Sequence, residues 1–435
     1  MRRDTIVAFS SGMVPSAIAI VRISGPQAIA AATALAGTMP PAREARVRTL
    51  RNPHTGEPLD SSIVLLFAPP HTATGEALVE FHLHGSRAVV AAVEAALLTQ
   101  EGVRRAEAGE FTRRALLNGR IDLTQAEGLS DLLAAETEGQ RRAALRVAEG
   151  GIRRTVEGWN RTLLALAARV EAAIDFSDEE DGDPEDLNNF LADVRSDAAT
   201  LRAEIGAALA VPSAERLRDG VRVVLAGPPN SGKSTLFNRL VQREAAIVSP
   251  VAGTTRDRIE AGVVIGGVPY VITDTAGLNE VTEDPIEAIG IDRAMQAMRE
   301  ADIVLWLGNG PAPVVAETIV LPIAAKADIA MSPRSASHYL AVSAHTGDGI
   351  DDLLHSMDVS ARKMLPGADG LALRARHREL LLAAAAHLDQ VTQASDLLLI
   401  AEGLRSATRE IDRITGASDV EAMLDTLFAG FCIGK

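Results

Sequence analysis

The segment VRVVLAGPPNSGKSTLFNRL, residues 221–240, constrains this chain more than any other. An apolar, strand-forming run, Val221–Leu225, leads into Gly227-x-x-x-x-Gly232-Lys233-Ser234, and a helix-forming stretch follows. That order predicts a phosphate-binding loop. The backbone N–H groups of the loop and the helix N-terminus cradle phosphates, Lys233 reaches the β- and γ-phosphates, and the Ser234 hydroxyl ligates Mg2+. From about residue 216 to 360, apolar β runs alternate with helices, the pattern of a parallel α/β sheet.

Further elements fall in the order that a nucleotide hydrolase requires. PYVITDTAG delivers Asp274 at the end of a second strand, followed by Thr275, Ala276 and Gly277. An acid there can hold the Mg2+ shell, and Gly277 lets the backbone approach the γ-phosphate. Between the two strands lies SPVAGTTRD, Ser249 to Asp257, in which Thr255 is placed to complete the Mg2+ coordination. IAAKAD resembles the Asn-Lys-x-Asp guanine reader, with Asp328 accepting from guanine N1–H and N2–H2 and the Lys326 stem flanking the ring. Its first position is Ala325, not asparagine. VSAHTGDG, with Ser343, Ala344 and His345, resembles the loop that offers a backbone N–H to guanine O6. Leu278 stands where Ras-like GTPases carry a water-orienting glutamine. Glu283, Asp284 and Glu287 are nearby acids that either act in its place or sit at a helix N-terminus, where the dipole favours them.

The nucleotide-facing set predicted here is Asn230, Ser231, Gly232, Lys233, Ser234 and Thr235; Ser249, Pro250, Val251, Ala252, Gly253, Thr254 and Thr255; Asp274 to Gly277; Lys326, Asp328, Ser343, Ala344 and His345. Only four lysines occur in 435 residues, and two of them, Lys233 and Lys326, fall in this set. Lysine is a compact point charge and arginine a wide planar fork, so a chain averse to lysine keeps one where arginine would not serve.

The rest of the chain reads as further domains. Residues 1–118 mix strand-like runs (TIVAF, AIAIVRI, SIVLLFA, ALVEFHLH) with a helix through SRAVVAAVEAALLTQEG, an α+β domain. Residues 119–213 turn helical, with one periodic stretch opened by Asp122 or Thr124 as cap. Residues 214–365 are the α/β unit, and 366–435 are helical again. One helical domain with the α/β domain inserted is the economical arrangement. The acidic run SDEEDGDPEDLNN reads as an exposed loop between helices.

Formal net charge is −15, so nucleic acid would have to meet local basic patches such as Arg104/Arg105, Arg113/Arg114, Arg141/Arg142 and Arg153/Arg154. For each pair the competing reading is a solvated helix face. One cysteine excludes an internal disulfide and a multi-cysteine zinc site. The N-terminal stretch MRRDTIVAFSSG lacks the apolar run of a signal peptide, and no stretch reaches the roughly 18 apolar residues of a membrane span. The expectation is a soluble cytoplasmic protein with no membrane partner.

PPNSGKST, AGTTRD and DTAGL followed by IEAIGI resemble the tRNA-modification GTPase family MnmE, also called TrmE. The resemblance runs nearly end to end, through DTIVA, VRISG, TGEALVEFHLHG, GEFTRRALLNGRIDLTQAE and the terminal FCIGK. It implies an N-terminal folate-binding, dimer-forming domain, a helical domain and an inserted Ras-like G domain. It implies a homodimer whose K+-stimulated GTP hydrolysis serves, with the FAD-dependent partner MnmG (GidA) in a heterotetramer, to modify C5 of the tRNA wobble uridine. The group installed is aminomethyl or carboxymethylaminomethyl, drawn from a 5,10-methylene or formyl tetrahydrofolate. By the same resemblance, Asn230, Ser249, Val251 and Thr254 form the K+ site, and Glu287 positions the attacking water. Arg22, Glu80, Arg120 and Lys435 bind folate. The chain departs from the family at Arg120, where lysine is usual, at HGS in place of HGG, in the loop FSSGMVPSA and at Ala325.

Cys432 sits at the place of a prenylation box, but Gly434 is not aliphatic and Lys435 is not a usual last residue. Two readings remain for it: a small apolar group packing the tail, or a thiol active as thiolate. The resemblance favours a functional tail with Lys435 on folate. Against the enzyme stand two other functions: a GTPase switch acting in ribosome assembly, and a folate-dependent one-carbon protein with relaxed nucleotide specificity.

Overall fold

The computed structural model describes residues 4–176, 184–243, 259–275, 295–308, 315, 318–329, 339–367, 370–417, 424, 427, 428, 431 and 434. The chain divides into two compact units. Met1–Ser130, Ala148–Val156 and Asp412–Lys435 form one, and Asp131–Val147 with Glu157–Ile411 form the other.

The first unit is built on six strands: β1 (Thr5–Phe9), β2 (Ser16–Ser24), β3 (Arg46–Arg51), β4 (Pro58–Phe67), β5 (Leu78–Gly85) and β6 (Val103–Arg105). Their spatial order is β3-β4-β5-β2-β1-β6. Side chains alternate across a strand. Val21, Ile23, Val64, Val79, Phe81 and Leu83 therefore share one face, buried under α1 (Ala28–Ala36) and α2 (Arg87–Leu98). On the other face Ile6 and Ala8 lie with Ala106 and with Phe111 of α3 (Glu110–Leu117). Ile18, Val47 and Ile63 of this unit remain 58%, 64% and 41% exposed.

One helix was expected from Asp122 to Gly150; the structure has two, α4 (Leu123–Ala134) and α5 (Glu138–Ala148). The break has a local cause. The Thr137 hydroxyl accepts from the Gln140 N–H at 3.2 Å, and the Gln140 side-chain oxygen Oε1 accepts from the Glu136 and Thr137 N–H groups. This reciprocal cap starts a new helix within a continuing apolar pattern. Asp122, not Thr124, caps α4, accepting from the Gln125 N–H at 2.8 Å.

The second unit holds α6 (Gly151–Phe176, from Glu157 onward), α7 (Pro184–Ala210), α8 (Glu215–Asp219), β7 (Val221–Ala226), α9 (Lys233–Arg243), β8 (Ile259–Ile265), β9 (Val268–Asp274), β10 (Ile303–Trp306), β11 (Ile319–Ala325), β12 (Leu340–Val342), α10 (Ile350–Arg362), α11 (Ala375–Gln393) and α12 (Leu397–Thr415, to Ile411). The strand order is β12-β11-β10-β7-β9-β8, with β8 antiparallel at the edge and the others parallel. Val223, Leu225, Ile272, Leu305 and Ile323 pack with Leu236 and Leu240 of α9 and Leu353 and Met357 of α10. The carboxyl ends of the parallel strands β7, β9, β11 and β12 therefore lie along one edge of the sheet, where α/β sheets bind ligands.

The two chain crossings into the α/β part run side by side. The Ala214 N–H donates to the Leu373 carbonyl at 3.0 Å. The Glu215 carboxylate accepts from the first N–H of α11, Ala375, at 2.5 Å and from the Ser213 hydroxyl. Arg378 donates to the Leu209 and Val211 carbonyls at the end of α7. On the sheet side Arg216 donates to Asp302, which also accepts from the Arg222 N–H. Among the described residues no helix is long and apolar enough to cross a membrane.

Candidate functional site

The phosphate loop is set by its backbone. Gly227, Asn230 and Gly232 adopt φ of 149°, 59° and 100°. At Gly227 a Cβ would come 3.1 Å from the Leu307 backbone, so only glycine lets β7 turn here without strain. Lys233, the first residue of α9, is 6% exposed and folds back over the loop, donating to the Gly227 and Pro228 carbonyls at 2.9 and 3.0 Å. Burial lowers its pKa, and the nearby Asp274 carboxylate offsets part of that shift. Asp274 is itself buried at the end of β9, next to Leu225 across the ladder, and the Thr275 hydroxyl donates to the Leu225 carbonyl at 2.7 Å.

These residues fit a bound nucleotide phosphate with its metal. The Ser231 hydroxyl is buried in the loop with no partner among the described residues, and Ser234 is exposed at the helix start. A buried hydroxyl without a partner is costly, and an anionic oxygen would satisfy it.

The base side lies at the ends of β11 and β12. Lys326, at φ 60°, donates to the Asn230 carbonyl at 2.8 Å and so joins this loop to the phosphate loop. The Ser343 hydroxyl, fully buried, donates to Asp328 and holds that carboxyl below its ordinary pKa. The Ser343 N–H is taken by the Asp348 carbonyl at 2.9 Å. The N–H groups of this loop available to a guanine O6 are therefore those of Ala344 and His345. A small pocket is lined by Gly232, Thr235, Ala325, Lys326, Asp328, Ala344 and His345, which joins three of the motifs found in the sequence. Ser249, Pro250, Val251, Ala252, Gly253, Thr254, Thr255, Ala276, Gly277, Leu278 and the acids Glu283, Asp284 and Glu287 lie outside the described residues.

The first unit carries the other predicted set. Arg22 of β2 and Glu80 of β5 are ladder partners, paired at 2.8 Å. Arg22 also lies over the Phe111 ring, 5.7 Å from its centroid, and His82 approaches Glu80 at 3.4 Å. Phe111 and His82 were not singled out in the sequence; strand alternation, which puts 80 and 82 on one face, was the available signal for His82. Arg120 donates to the Thr72 carbonyl at 3.2 Å. Cys432 and Lys435 lie outside the described residues, but Phe428, Phe431 and Gly434 beside them do not. Phe428 and Phe431 pack at 5.7 Å in a cluster with Leu123 and Leu424. Gly434, at φ 98°, lies so close to the end of β1 that a Cβ would overlap the Phe9 carbonyl and reach 2.9 Å from the Ser10 hydroxyl. The tail thus reaches the strand next to that of Arg22.

Beneath α3 is a charged network that the sequence reading missed. Arg114, 8% exposed, donates to Asp4, Glu76 and Glu110, and Arg104 donates to Asp4 and Glu110. Glu76, Arg104, Glu110 and Arg114 border a cleft of about 1430 Å³. Most of the arginine pairs offered for nucleic acid are committed within the chain. Arg105 pairs with Glu94, Arg141 and Arg142 with Glu138, and Arg154 donates to the Glu149 carbonyl.

Comparison with known proteins places this geometry in a lineage. A family model described as the GTP-binding protein TrmE N-terminus matches residues 5–120, and one described as the MnmE helical domain matches residues 123–432. A tRNA modification GTPase MnmE of Erythrobacter litoralis is 53% identical over 433 residues, covering 99% of this chain and 100% of the relative. The protein of the same name from Rhizorhabdus wittichii is 53% identical over 434 residues, covering 99% and 97%. A solved G domain of the T. maritima FeoB iron transporter covers 32% of this chain at 21% identity and a TM-score of 0.23, too distant to bear on the fold. With half of all positions shared along its whole length and family models matched on both sides of residue 121, the chain belongs to the MnmE family of tRNA modification GTPases.

Proposed function

We propose that this protein is a K+-stimulated GTP-hydrolysing enzyme that works with an FAD-dependent MnmG (GidA) partner in a heterotetramer. Together they add an aminomethyl or carboxymethylaminomethyl group to C5 of the tRNA wobble uridine, drawing the carbon from a tetrahydrofolate derivative. The observation that carries this reading is the position of Gly434 against Phe9 and Ser10, one strand from the Arg22–Glu80 pair. A GTPase acting only as a switch has no use for a terminal tail held at a second polar site.

In the nucleotide site, Lys233 leaves the loop carbonyls for the β- and γ-phosphates, and Asp328 with the N–H groups of Ala344 and His345 reads guanine. Ser234 and Thr255 hold Mg2+, and Asn230, Ser249, Val251 and Thr254 hold K+. When bound, these cations supply positive charge against the charge that develops on the transferred phosphoryl group. Glu287 positions water, a task that Leu278 cannot perform. In the N-terminal site, Arg22 and Arg120 offer donors and Glu80 an acceptor to folate, with Lys435 from the tail. Arg120 keeps the charge of the usual lysine in a wider, planar form. The exposed Ile18, Val47 and Ile63 support a homodimer through this unit, because large apolar groups left on one sheet favour a second copy over water. The reading places the protein in the cytoplasm.

The test is reconstitution with the flavoprotein partner, tRNA, GTP and methylene-tetrahydrofolate, in K+ and in Na+, with nucleoside mass spectrometry as readout. Modified uridine should form only with folate, with GTP and in K+. Modification indifferent to folate would overturn the N-terminal assignment.

A further inference from the structure

We propose that His82 is a further positioning residue of the N-terminal site, fixing the Glu80 carboxylate that receives the folate. The proposal rests on the folate reading above and deepens it by naming a residue that no motif in the sequence singled out.

Arg22 and Glu80 face each other across the β2–β5 ladder. Arg22 holds one carboxylate oxygen, Oε1, from Nε at 3.0 Å and from Nη2 at 2.8 Å. Both contacts fall on the same oxygen, so by themselves they leave the carboxylate free to swing about it. The other oxygen, Oε2, lies 3.4 Å from His82 Nε2. A carboxylate only accepts, so Nε2 carries the proton and donates. Held at both oxygens, the carboxylate has a set plane. It offers about four lone-pair positions. Arg22 takes two and His82 one, which leaves one on Oε2 for a ligand N–H. A ligand that meets a group already oriented loses less in ordering it.

The surroundings of His82 give the ring no other polar task. Its ladder neighbours are Ile20 on β2 and Ile63 on β4, against which an apolar side chain would pack better than imidazole. Among the described residues it makes no hydrogen bond besides that to Glu80. His84, the next residue of β5 on this face, is engaged by Asp60 at 2.7 Å. The Glu80 and His82 side chains are 14% and 25% exposed, sheltered from water yet open to a ligand.

The experiment is equilibrium dialysis of the full-length protein with labelled 5-formyl-tetrahydrofolate, comparing the unaltered chain with His82→Leu and His82→Gln, and a thermal melt of each. Leucine suits the isoleucine neighbours and has no donor. The glutamine amide nitrogen replaces Nε2 as donor. His82→Leu is expected to bind folate about tenfold more weakly without a lower melting temperature, and His82→Gln to recover to within about threefold of the unaltered chain. In the reconstituted modification reaction, leucine should raise the KM for methylene-tetrahydrofolate by a similar factor and leave kcat within about twofold. A leucine variant that binds folate as tightly as the unaltered chain would overturn the proposal. So would a folded glutamine variant that binds about tenfold more weakly, whatever leucine does to stability. Absence of folate binding by the unaltered protein, or binding indifferent to Glu80→Gln, is a distinct result: it would remove the folate reading itself, and this proposal with it.

Discussion

Lys326 and Asn230 both hold left-handed backbone conformations, at φ 60° and 59°, and the Lys326 ammonium donates to the Asn230 carbonyl at 2.8 Å. Non-glycine residues take this conformation uncommonly. Here two such residues, 96 positions apart, are joined by one charge-assisted bond. The bond ties the base-reading loop to the phosphate loop, so the two halves of a nucleotide site are fixed to one another through a side chain.

Lys326→Ala should therefore loosen that tie without unfolding the sheet, since Lys326 is exposed. A hydrogen bond to a charged group contributes about 1.5–3 kcal/mol, so GTP should bind about ten- to a hundredfold more weakly. Titration with a fluorescent GTP analogue, alongside a thermal melt that stays put, checks this. Unchanged affinity would show the bond to be incidental.

Gly434→Ala is expected to dislodge the tail. The positive φ of 98° disfavours any side chain, and a Cβ would overlap the Phe9 carbonyl. GTP hydrolysis should persist while folate binding and tRNA modification fall at least about tenfold, the scale of one lost charge-assisted contact. Equilibrium dialysis with a labelled folate separates the two effects.

Arg114→Leu should strongly destabilise the N-terminal sheet. The side chain is buried among Asp4, Glu76 and Glu110, and removing it leaves these carboxylates facing one another. Breaking a buried ion pair by deleting one partner costs about 3–5 kcal/mol. Chemical denaturation followed by circular dichroism should show a lower midpoint for the transition that reports this unit. A shift no larger than that of an exposed pair such as Arg141–Glu138 would count against the network.

The same network gives stability an acid limit. Burial alone would raise the Glu110 carboxyl, but hydrogen bonds from Arg104, the Glu107 N–H and Arg114 outweigh it, and its pKa lies below the ordinary 4.5. At Asp4 burial also raises, and Arg104 and Arg114 reverse the sign below 3.8. A carboxyl lowered in the folded state binds fewer protons than in the unfolded chain. Its contribution is fully present above the unfolded value and is lost as pH falls through the folded one. Melting temperature should hold from neutrality to about pH 5 and drop below about 4.5, and Glu110→Gln should flatten that drop.

Glu215→Ala tests the junction where the chain enters and leaves the α/β part. It removes the acceptor for the Ala375 N–H and for the Ser213 hydroxyl. A lost helix N-terminal acceptor costs about 1 kcal/mol. Intrinsic GTP turnover should change by less than about twofold, because Lys233 and Asp328 lie on loops of the sheet itself, whereas GTP-dependent tRNA modification should fall further. Equal loss of both activities would make Glu215 a residue of stability alone.

Motifs carried by consecutive residues were legible in the sequence. The strand, loop and helix of residues 221–240 appear where the pattern put them, because glycine spacing and apolar runs act within a few residues. The α4–α5 break was missed for a reason equally local: the Thr137–Gln140 cap was hidden inside a continuous apolar period. Arg22 and Glu80 came singly from the family resemblance, and only strand register showed that the two side chains meet.

By itself the sequence determined the α/β class, the phosphate loop and the family, since these depend on residue types at short spacings. Tertiary structure decided which charges meet. Asp4 and Arg114 are 110 positions apart, and no periodicity links them until β1 and α3 come together. It also buried the Ser343 hydroxyl, which lowers the Asp328 pKa and accepts from the Thr346 N–H at 3.2 Å. The physical reason is the same in both cases. Propensity and patterning act along the chain, whereas ion pairs and hydrogen bonds between distant residues exist only once folding has brought their partners within about 3 Å and removed the competing water.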